Sequence, residues 1–154
     1  CDWSSDVCSP ISIGAIIVRD DQIISTGYVG APRKTRDSLE HGYCLRDKLG
    51  IPHGQRYELC RSVHAEQNAI INAARAGVSL LGGDMFIHGS NPDTGVPIDA
   101  LPCFICKKMI LNCGLNRIVC STAGGGAKVF HTDQWAAEWR ERDIIDDEHQ
   151  YGKD

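Results

Sequence analysis

The sequence predicts an α/β domain built on a mixed sheet of five strands. Apolar, β-branched runs of strand length alternate with segments of helical character along the second half of the chain. Near the start, two strand-like runs are separated only by Asp20-Asp21, which predicts an antiparallel hairpin. Near the end, residues 121–127 are too few for a helical crossover, which needs about a dozen residues. The last strand is therefore predicted to run antiparallel to the one before it.

The first half of the chain contains the hairpin and a long polar loop. The hairpin strands are predicted at 13–19 and 22–28, where β-branched and apolar residues are concentrated. Residues 29–63 are rich in Gly, Pro, Arg and Asp, with mild helical character over 39–49. A loop of this length within a compact domain is typically functional, so we expect it to be ordered and to border a binding site.

The second half supplies three helices and three strands. Helix formers fill 65–76 up to Gly77, and Pro102 and Gly114 bracket a second helix. Thr132 is expected to cap the last helix, in which Trp135 and Trp139 are four residues apart and should pack in the core. In chain order, the predicted elements are a helix at 65–76, a strand at 84–88, a helix at 103–113, strands at 116–120 and 128–131, and a helix at 132–142.

Three side chains have the chemistry and spacing of a catalytic zinc site. His64, Cys103 and Cys106 offer one imidazole and two thiolates, and three protein ligands leave the fourth tetrahedral position open for water. A water molecule bound to zinc can reach a pKa of about 7, which makes hydroxide available near neutral pH. Glu66 lies two residues after His64 and is expected to stay off the metal and carry protons.

The predicted helices explain how these residues meet. His64 and Glu66 fall at the start of the helix at 65–76, whereas Cys103 and Cys106 share one face in the first turn of the next. A helix N-terminus favours thiolate over thiol. A Cys-x-x-Cys pair alone could be a redox pair, and His-x-Glu alone is usually coincidental. Their combination, in this order, is typical of zinc enzymes that remove an amine from a nucleobase.

Composition limits the partners of the domain. The chain has 154 residues and a formal net charge of −4 at pH 7, which disfavours a long nucleic-acid partner, although a local basic patch stays open. No apolar run reaches the roughly 18 residues of a membrane span, and no signal peptide is apparent. Eight cysteines without secretory features indicate reduced thiols and metal binding. We therefore expect a cytoplasmic protein with a small-molecule substrate.

The two ends differ from the middle of the chain. The first ten residues, CDWSSDVCSP, resemble a translated sequencing adapter, so residues 1–12 are predicted to be a non-native tail. Residues 13–142 form the single predicted domain, and residues 143–154 an acidic, solvated tail.

From residue 13 to residue 120 the chain resembles the deoxycytidylate (dCMP) deaminase family of the cytidine deaminase superfamily. The matching residues are Gly14-Ala15-Ile16-Ile17-Val18, Thr26-Gly27-Tyr28, Gly30-Ala31-Pro32, Cys44-Leu45-Arg46, Glu58-Leu59-Cys60-Arg61, His64-Ala65-Glu66, Asn68-Ala69, and Pro102-Cys103 with Cys106. The resemblance implies a three-layer α/β/α cytidine deaminase-like fold with a five-stranded sheet. It also implies Zn²⁺ on His64, Cys103 and Cys106, proton transfer by Glu66, homo-oligomers, and conversion of dCMP to dUMP.

Further residues receive roles from the resemblance. The backbone of Ala65 is expected to hold the base, and Val29 occupies the position of a sugar-contacting Asn in the family. Arg33 and Arg36 could bind a 5′-phosphate, although basic loops are usually just solvated. Cys44 and Cys60 flank the long loop where some relatives hold a second, structural zinc, yet inert thiols are the alternative.

Other functions remain open at this level. Cytidine, guanine and tRNA adenosine are alternative substrates, and the enzymes that act on tRNA adenosine share the His-Ala-Glu motif. Val29 leaves the substrate undetermined, because its side chain can neither donate nor accept a hydrogen bond. A zinc-stabilised nucleotide-binding module without activity is the alternative from a different class. The net negative charge of the chain and the long loop before His64 disfavour a tRNA substrate.

Overall fold

The computed structural model describes residues 12–52 and 55–142. Its five strands form one mixed sheet in the order β2-β1-β3-β4-β5. The strands are β1 (Ser12–Arg19), β2 (Gln22–Tyr28), β3 (Asp84–Ser90), β4 (Arg117–Ser121) and β5 (Ala127–His131). Only β3 and β4 are parallel, while every other neighbouring pair is antiparallel. The predicted α/β class, the five-stranded mixed sheet and the antiparallel last strand are confirmed.

The helices follow the predicted order. They are α1 (Ser38–His41), α2 (Leu45–Lys48), α3 (Ala65–Ala76), α4 (Phe104–Asn112) and α5 (Thr132–Glu141), with a 3-10 helix at Tyr57–Leu59. The bounds of α3 agree with the prediction, and Gly77 ends the helix with the left-handed φ of 69° for which glycine is suited. The long loop is ordered over its described residues and contains the three shortest helices.

The hairpin turn is formed by Asp20 and Asp21, both with positive φ, as a two-residue turn between right-twisted strands requires.

The prediction that Thr132 caps α5 is wrong. The helix begins at Thr132 itself, and its hydroxyl donates to the carbonyls of Leu115 and Asn116 at 2.7 and 3.1 Å. The hydroxyl therefore ties α5 to the turn that precedes β4 instead of capping the helix.

The core lies between one face of the sheet and helices α3, α4 and α5. Its largest fully buried side chains include Ile17, Met85, Ile110 and Ile118, which come from three strands and α4. Trp135 is buried against Phe130, with ring centroids 5.3 Å apart, and Trp139 packs on Phe104 at 5.0 Å. The predicted core position is confirmed for Trp135, whereas Trp139 is half-buried and packs on Phe104 outside the core.

The opposite face of the sheet borders a cavity of about 820 Å³. Tyr28 and Phe86 line it and are 75% and 36% exposed. Residues 12–52 and 55–142 form the sheet and one helical layer. They do not form the second helical layer of the expected three-layer fold. The two predicted tails, apart from Ser12 in β1, lie outside the described residues. No helix in the described ranges is long and apolar enough to cross a bilayer.

Candidate metal centre

His64, Cys103 and Cys106 lie together between the starts of α3 and α4. Nδ1 of His64 is 3.4 Å from Sγ of Cys103 and 3.4 Å from Sγ of Cys106, and the three ligand atoms all lie within 4.8 Å of one another. Zinc bonds of about 2.1 Å to nitrogen and 2.3 Å to sulfur, at tetrahedral angles, place N and S about 3.6 Å apart. The spacing of these three side chains therefore fits a tetrahedral zinc ion.

Two helix starts hold the ligands in place. His64 directly precedes α3, and its backbone N–H donates to Oε1 of Gln67 at 3.0 Å, which fixes the first turn. Cys103 is the N-terminal cap of α4, and Cys106 lies in the first turn of that helix. Because unpaired N–H groups and the helix dipole favour negative charge at this end, both positions suit a thiolate.

Hydrogen bonds among the three side chains shift the pKa values of the two thiols in opposite directions. The hydrogen bond from the Cys106 thiol, joined by that of His64, lowers the pKa of Cys103 to about 4 despite burial. The pKa of Cys106 is raised because its proton bonds to Cys103 and because the thiol is buried. The pKa of His64 is raised, chiefly by its hydrogen bond with Cys103. Binding of a divalent cation by two thiolates requires that both thiols lose their protons.

Glu66 is a buried carboxyl beside this group. Its side chain is only 5% exposed, and it contacts Cys106 without belonging to the group of three ligand atoms. Burial raises the pKa of Glu66 above its ordinary value. A carboxyl with a pKa above its ordinary value, next to a candidate metal site but not part of it, is placed to accept and return a proton.

The segment after β2 runs alongside the ligand turn. Gly30 and Val63 form an antiparallel bridge, with N···O distances of 3.2 and 2.8 Å, directly before His64. Val29 is half-buried, and its N–H donates to the carbonyl of Ile13 at 2.9 Å. Ala65 is 1% exposed. The fold therefore brings the segment of Val29 close to the turn that carries His64 and Ala65.

The two predicted phosphate ligands have different surroundings. Both arginines are exposed, but Nη2 of Arg33 donates to Oδ1 of Asn72 on α3. Asn72 was not singled out by sequence reasoning, although its spacing of four residues from Asn68 places both amides on one face of α3. The spacing in sequence indicates that the two amides share a face of α3, but it does not show which residues this face contacts.

Cys44 and Cys60 lie next to the short helices of the long loop. Cys44 precedes α2, and Cys60 follows the 3-10 helix; both are half-buried thiols. Among the described residues, the only group of three potential metal ligands is that of His64, Cys103 and Cys106. A second zinc on Cys44 and Cys60 stays a prediction.

The sequence is similar to those of known deaminases. The family model of the cytidine and deoxycytidylate deaminase zinc-binding region matches residues 2–122. Deoxycytidylate deaminases of Schizosaccharomyces pombe and Saccharomyces cerevisiae are 29% and 31% identical over 116 and 114 residues. These stretches cover 75% and 74% of this chain but 32% of each relative, so the chain spans about a third of their length.

A solved structure supports the fold. The crystal structure of cytidine deaminase from Burkholderia pseudomallei has a TM-score of 0.50 at 16% identity, covering 80% of this chain and 77% of that one. At this identity the likeness concerns the fold alone. Since the family model covers well over half of the sequence, including all three clustered side chains, the chain belongs to the cytidine and deoxycytidylate deaminase family.

Proposed function

We propose that the protein is a zinc-dependent deaminase that converts a cytosine nucleotide, dCMP, to dUMP and ammonia. The observation that carries the proposal is the group formed by His64, Cys103 and Cys106, with the buried carboxyl of Glu66 beside it. When bound, zinc would lower the pKa of a water molecule toward neutrality and so supply the nucleophile for C4 of cytosine.

Glu66 is proposed to move the protons. It takes a proton from the attacking water and delivers it to N3 of the ring while the oxygen bonds to C4. It then carries the remaining proton of the new C4 hydroxyl to the amine, so that the C4–N bond breaks and the C4 carbonyl forms. Water and cytosine are consumed, and uracil and ammonia are produced, so the atoms balance. The raised pKa of Glu66 supports this role, because the carboxyl must exist in both protonation states during one turnover.

The substrate contacts rest on the neighbours of the ligand turn. We propose that the backbone of Ala65 holds the base and that the segment of Val29 borders the sugar, since the bridge between Gly30 and Val63 brings that segment to the ligand turn. Arg33 and Arg36 are proposed to bind the 5′-phosphate. The aliphatic side chain of Val29 cannot form a hydrogen bond with a sugar hydroxyl, so it would touch the sugar only through van der Waals contact.

We also propose a cytoplasmic homo-oligomer. Ligation by Cys103 and Cys106 requires thiolates, which a reducing compartment maintains. The exposed apolar side chains of Leu101 and Ile105, 43% and 46% exposed beside the start of α4, support a contact with a second copy. Sedimentation of the zinc-loaded protein would test the oligomer.

Ammonia release separates the candidate functions. Zinc-loaded protein is given dCMP, CMP, deoxycytidine, cytidine, guanine and a tRNA anticodon stem-loop. Release from dCMP supports the proposal, release from the stem-loop alone supports a tRNA deaminase, and nucleotide binding without release supports a non-catalytic module. A Val29→Asn variant tests the sugar contact, since an altered preference between dCMP and CMP is expected from the added amide.

A Glu66→Gln variant tests the proton carrier. The amide keeps the size of the side chain but removes the titrating group, so turnover should fall by about 10² to 10⁴-fold while zinc content is retained. Metal content by atomic emission and ammonia release are measured on the same sample. Full activity of this variant would show that Glu66 is not the proton carrier.

A further inference from the structure

Two asparagine amides hold α3 against the edge of the sheet. Nδ2 of Asn68 donates to the carbonyl of Tyr28 at 2.7 Å, and Nδ2 of Asn72 donates to the carbonyl of Thr26 at 2.7 Å. Four helical residues rise about 6 Å, and two strand residues advance about 6.6 Å, so the two amides match the two carbonyls. This match fixes the register of α3 on β2.

Asn72 has a second partner. Its Oδ1 accepts from Nη2 of Arg33, so one amide joins the helix, the edge strand and the segment that follows it. That segment starts beside the metal ligands, at the bridge between Gly30 and Val63. Asn72 lies eight residues after His64, about 12 Å along the helix axis. The segment thus begins at the candidate metal centre and places a guanidinium farther along α3.

The partner of Arg33 leaves its charge intact. An amide oxygen orients a guanidinium without neutralising it, and four of the five N–H donors remain for other acceptors. The ion pairs of the described residues join Arg19 to Asp20, Arg56 to Glu58, and Arg117 to Asp84. Arg33 takes part in none of these pairs. An oriented and uncompensated guanidinium suits a phosphate, because its planar fork can donate two parallel hydrogen bonds to phosphate oxygens.

We propose that Asn72 is a positioning residue that, through Arg33, determines how the protein binds the 5′-phosphate of its nucleotide. The inference rests on the proposed function, because it assumes that the base lies at the candidate metal centre. In this proposal, two parts of α3 contribute to the site in different ways. The start of the helix carries His64 and Glu66, and its third turn orients the side chain that recognises the other end of the substrate.

The test compares ligands with and without the phosphate. Affinities of the zinc-loaded protein for dUMP and deoxyuridine are measured by calorimetry, so that binding is observed without turnover. Arg33→Ala should weaken dUMP by at least about 10-fold, the effect of losing a hydrogen bond to a charged group, and leave deoxyuridine unchanged. Asn72→Ala should weaken dUMP several-fold in the same selective way. The double variant should bind dUMP no more weakly than Arg33→Ala, because both act through one contact.

An Asn72→Asp variant separates positioning from simple packing. Like Asn72→Ala, this variant lacks the N–H that donates to the carbonyl of Thr26, but its carboxylate also neutralises Arg33 and repels phosphate. It should therefore bind dUMP more weakly than Asn72→Ala does, while deoxyuridine binds to both variants alike. The matched control is Arg75→Ala, which removes an exposed cation one turn farther along α3 and should leave both affinities unchanged.

Three outcomes would overturn the inference: equal losses for dUMP and deoxyuridine, an unchanged dUMP affinity in Asn72→Ala, or wild-type protein that binds both ligands equally. The proposed function fails separately, when no cytosine compound releases ammonia although the zinc-loaded protein is folded.

Discussion

Replacing Gly27 by alanine should displace the helix that carries His64 and Glu66. A Cβ atom at Gly27 would lie 2.3 Å from the carbonyl oxygen of Ala65 and 2.3 Å from the amide nitrogen of Ala69. Both are backbone atoms of α3, so no side-chain rotation can relieve the clash. Since Cβ atoms essentially never approach within 3.0 Å, α3 must retreat by at least 0.7 Å, the difference between these distances.

The displacement sets the size of the expected effects. Overpacking of this kind costs about 1 to 3 kcal/mol. At about 2 to 4 °C for each kcal/mol, Tm should fall by about 2 to 12 °C. Catalytic groups must be held within about 0.5 Å, and misplacement by about 1 Å costs about 100-fold in rate. Deamination by Gly27→Ala should therefore fall at least about tenfold, with weaker zinc binding through His64.

Thermal unfolding followed by circular dichroism, zinc titration and ammonia release measure the three effects. Gly124→Ala is the matched control, because a Cβ there meets nothing within 4 Å and its φ is ordinary. This control should unfold at or slightly above the wild-type Tm. If Gly27→Ala has wild-type Tm, zinc affinity and turnover, the close approach of β2 and α3 does not position the metal centre as argued.

Two further substitutions test the site and its support. Cys106→Ser should abolish tight zinc binding, because a serine hydroxyl does not ionise near neutral pH. A chelator should lower the Tm of the zinc-loaded wild type but not that of the variant, and an unchanged zinc stoichiometry would contradict this. Thr132→Val should cost about 1 to 3 kcal/mol, because the carbonyl of Leu115 loses its hydroxyl partner in a buried place. Urea unfolding measures that loss, and a midpoint equal to that of the wild type would refute it.

Local chemistry determined the elements and the residue types of the site. The helix formers of α3 followed by Gly77, the β-branched runs of the strands and the two aspartates of the hairpin turn act within a few residues, so their outcome is readable in sequence. The ligand types are equally local, because imidazole and thiolate are chosen by the chemistry of zinc rather than by packing.

Tertiary structure decided what these elements contact. The sequence shows Arg33 as one of several basic residues in a loop, and only the packing of α3 on β2 joins it to Asn72, 39 residues away. Tertiary packing also decides the partner of Thr132, whose hydroxyl donates to the carbonyl of Leu115 and does not cap its own helix. Such contacts depend on long-range burial and register, which short-range propensity does not encode. The sequence by itself therefore determined which groups could bind a metal and move a proton, whereas the three-dimensional packing decided the 3.4 Å spacing of the ligand atoms, the burial of Glu66 and the position of Arg33.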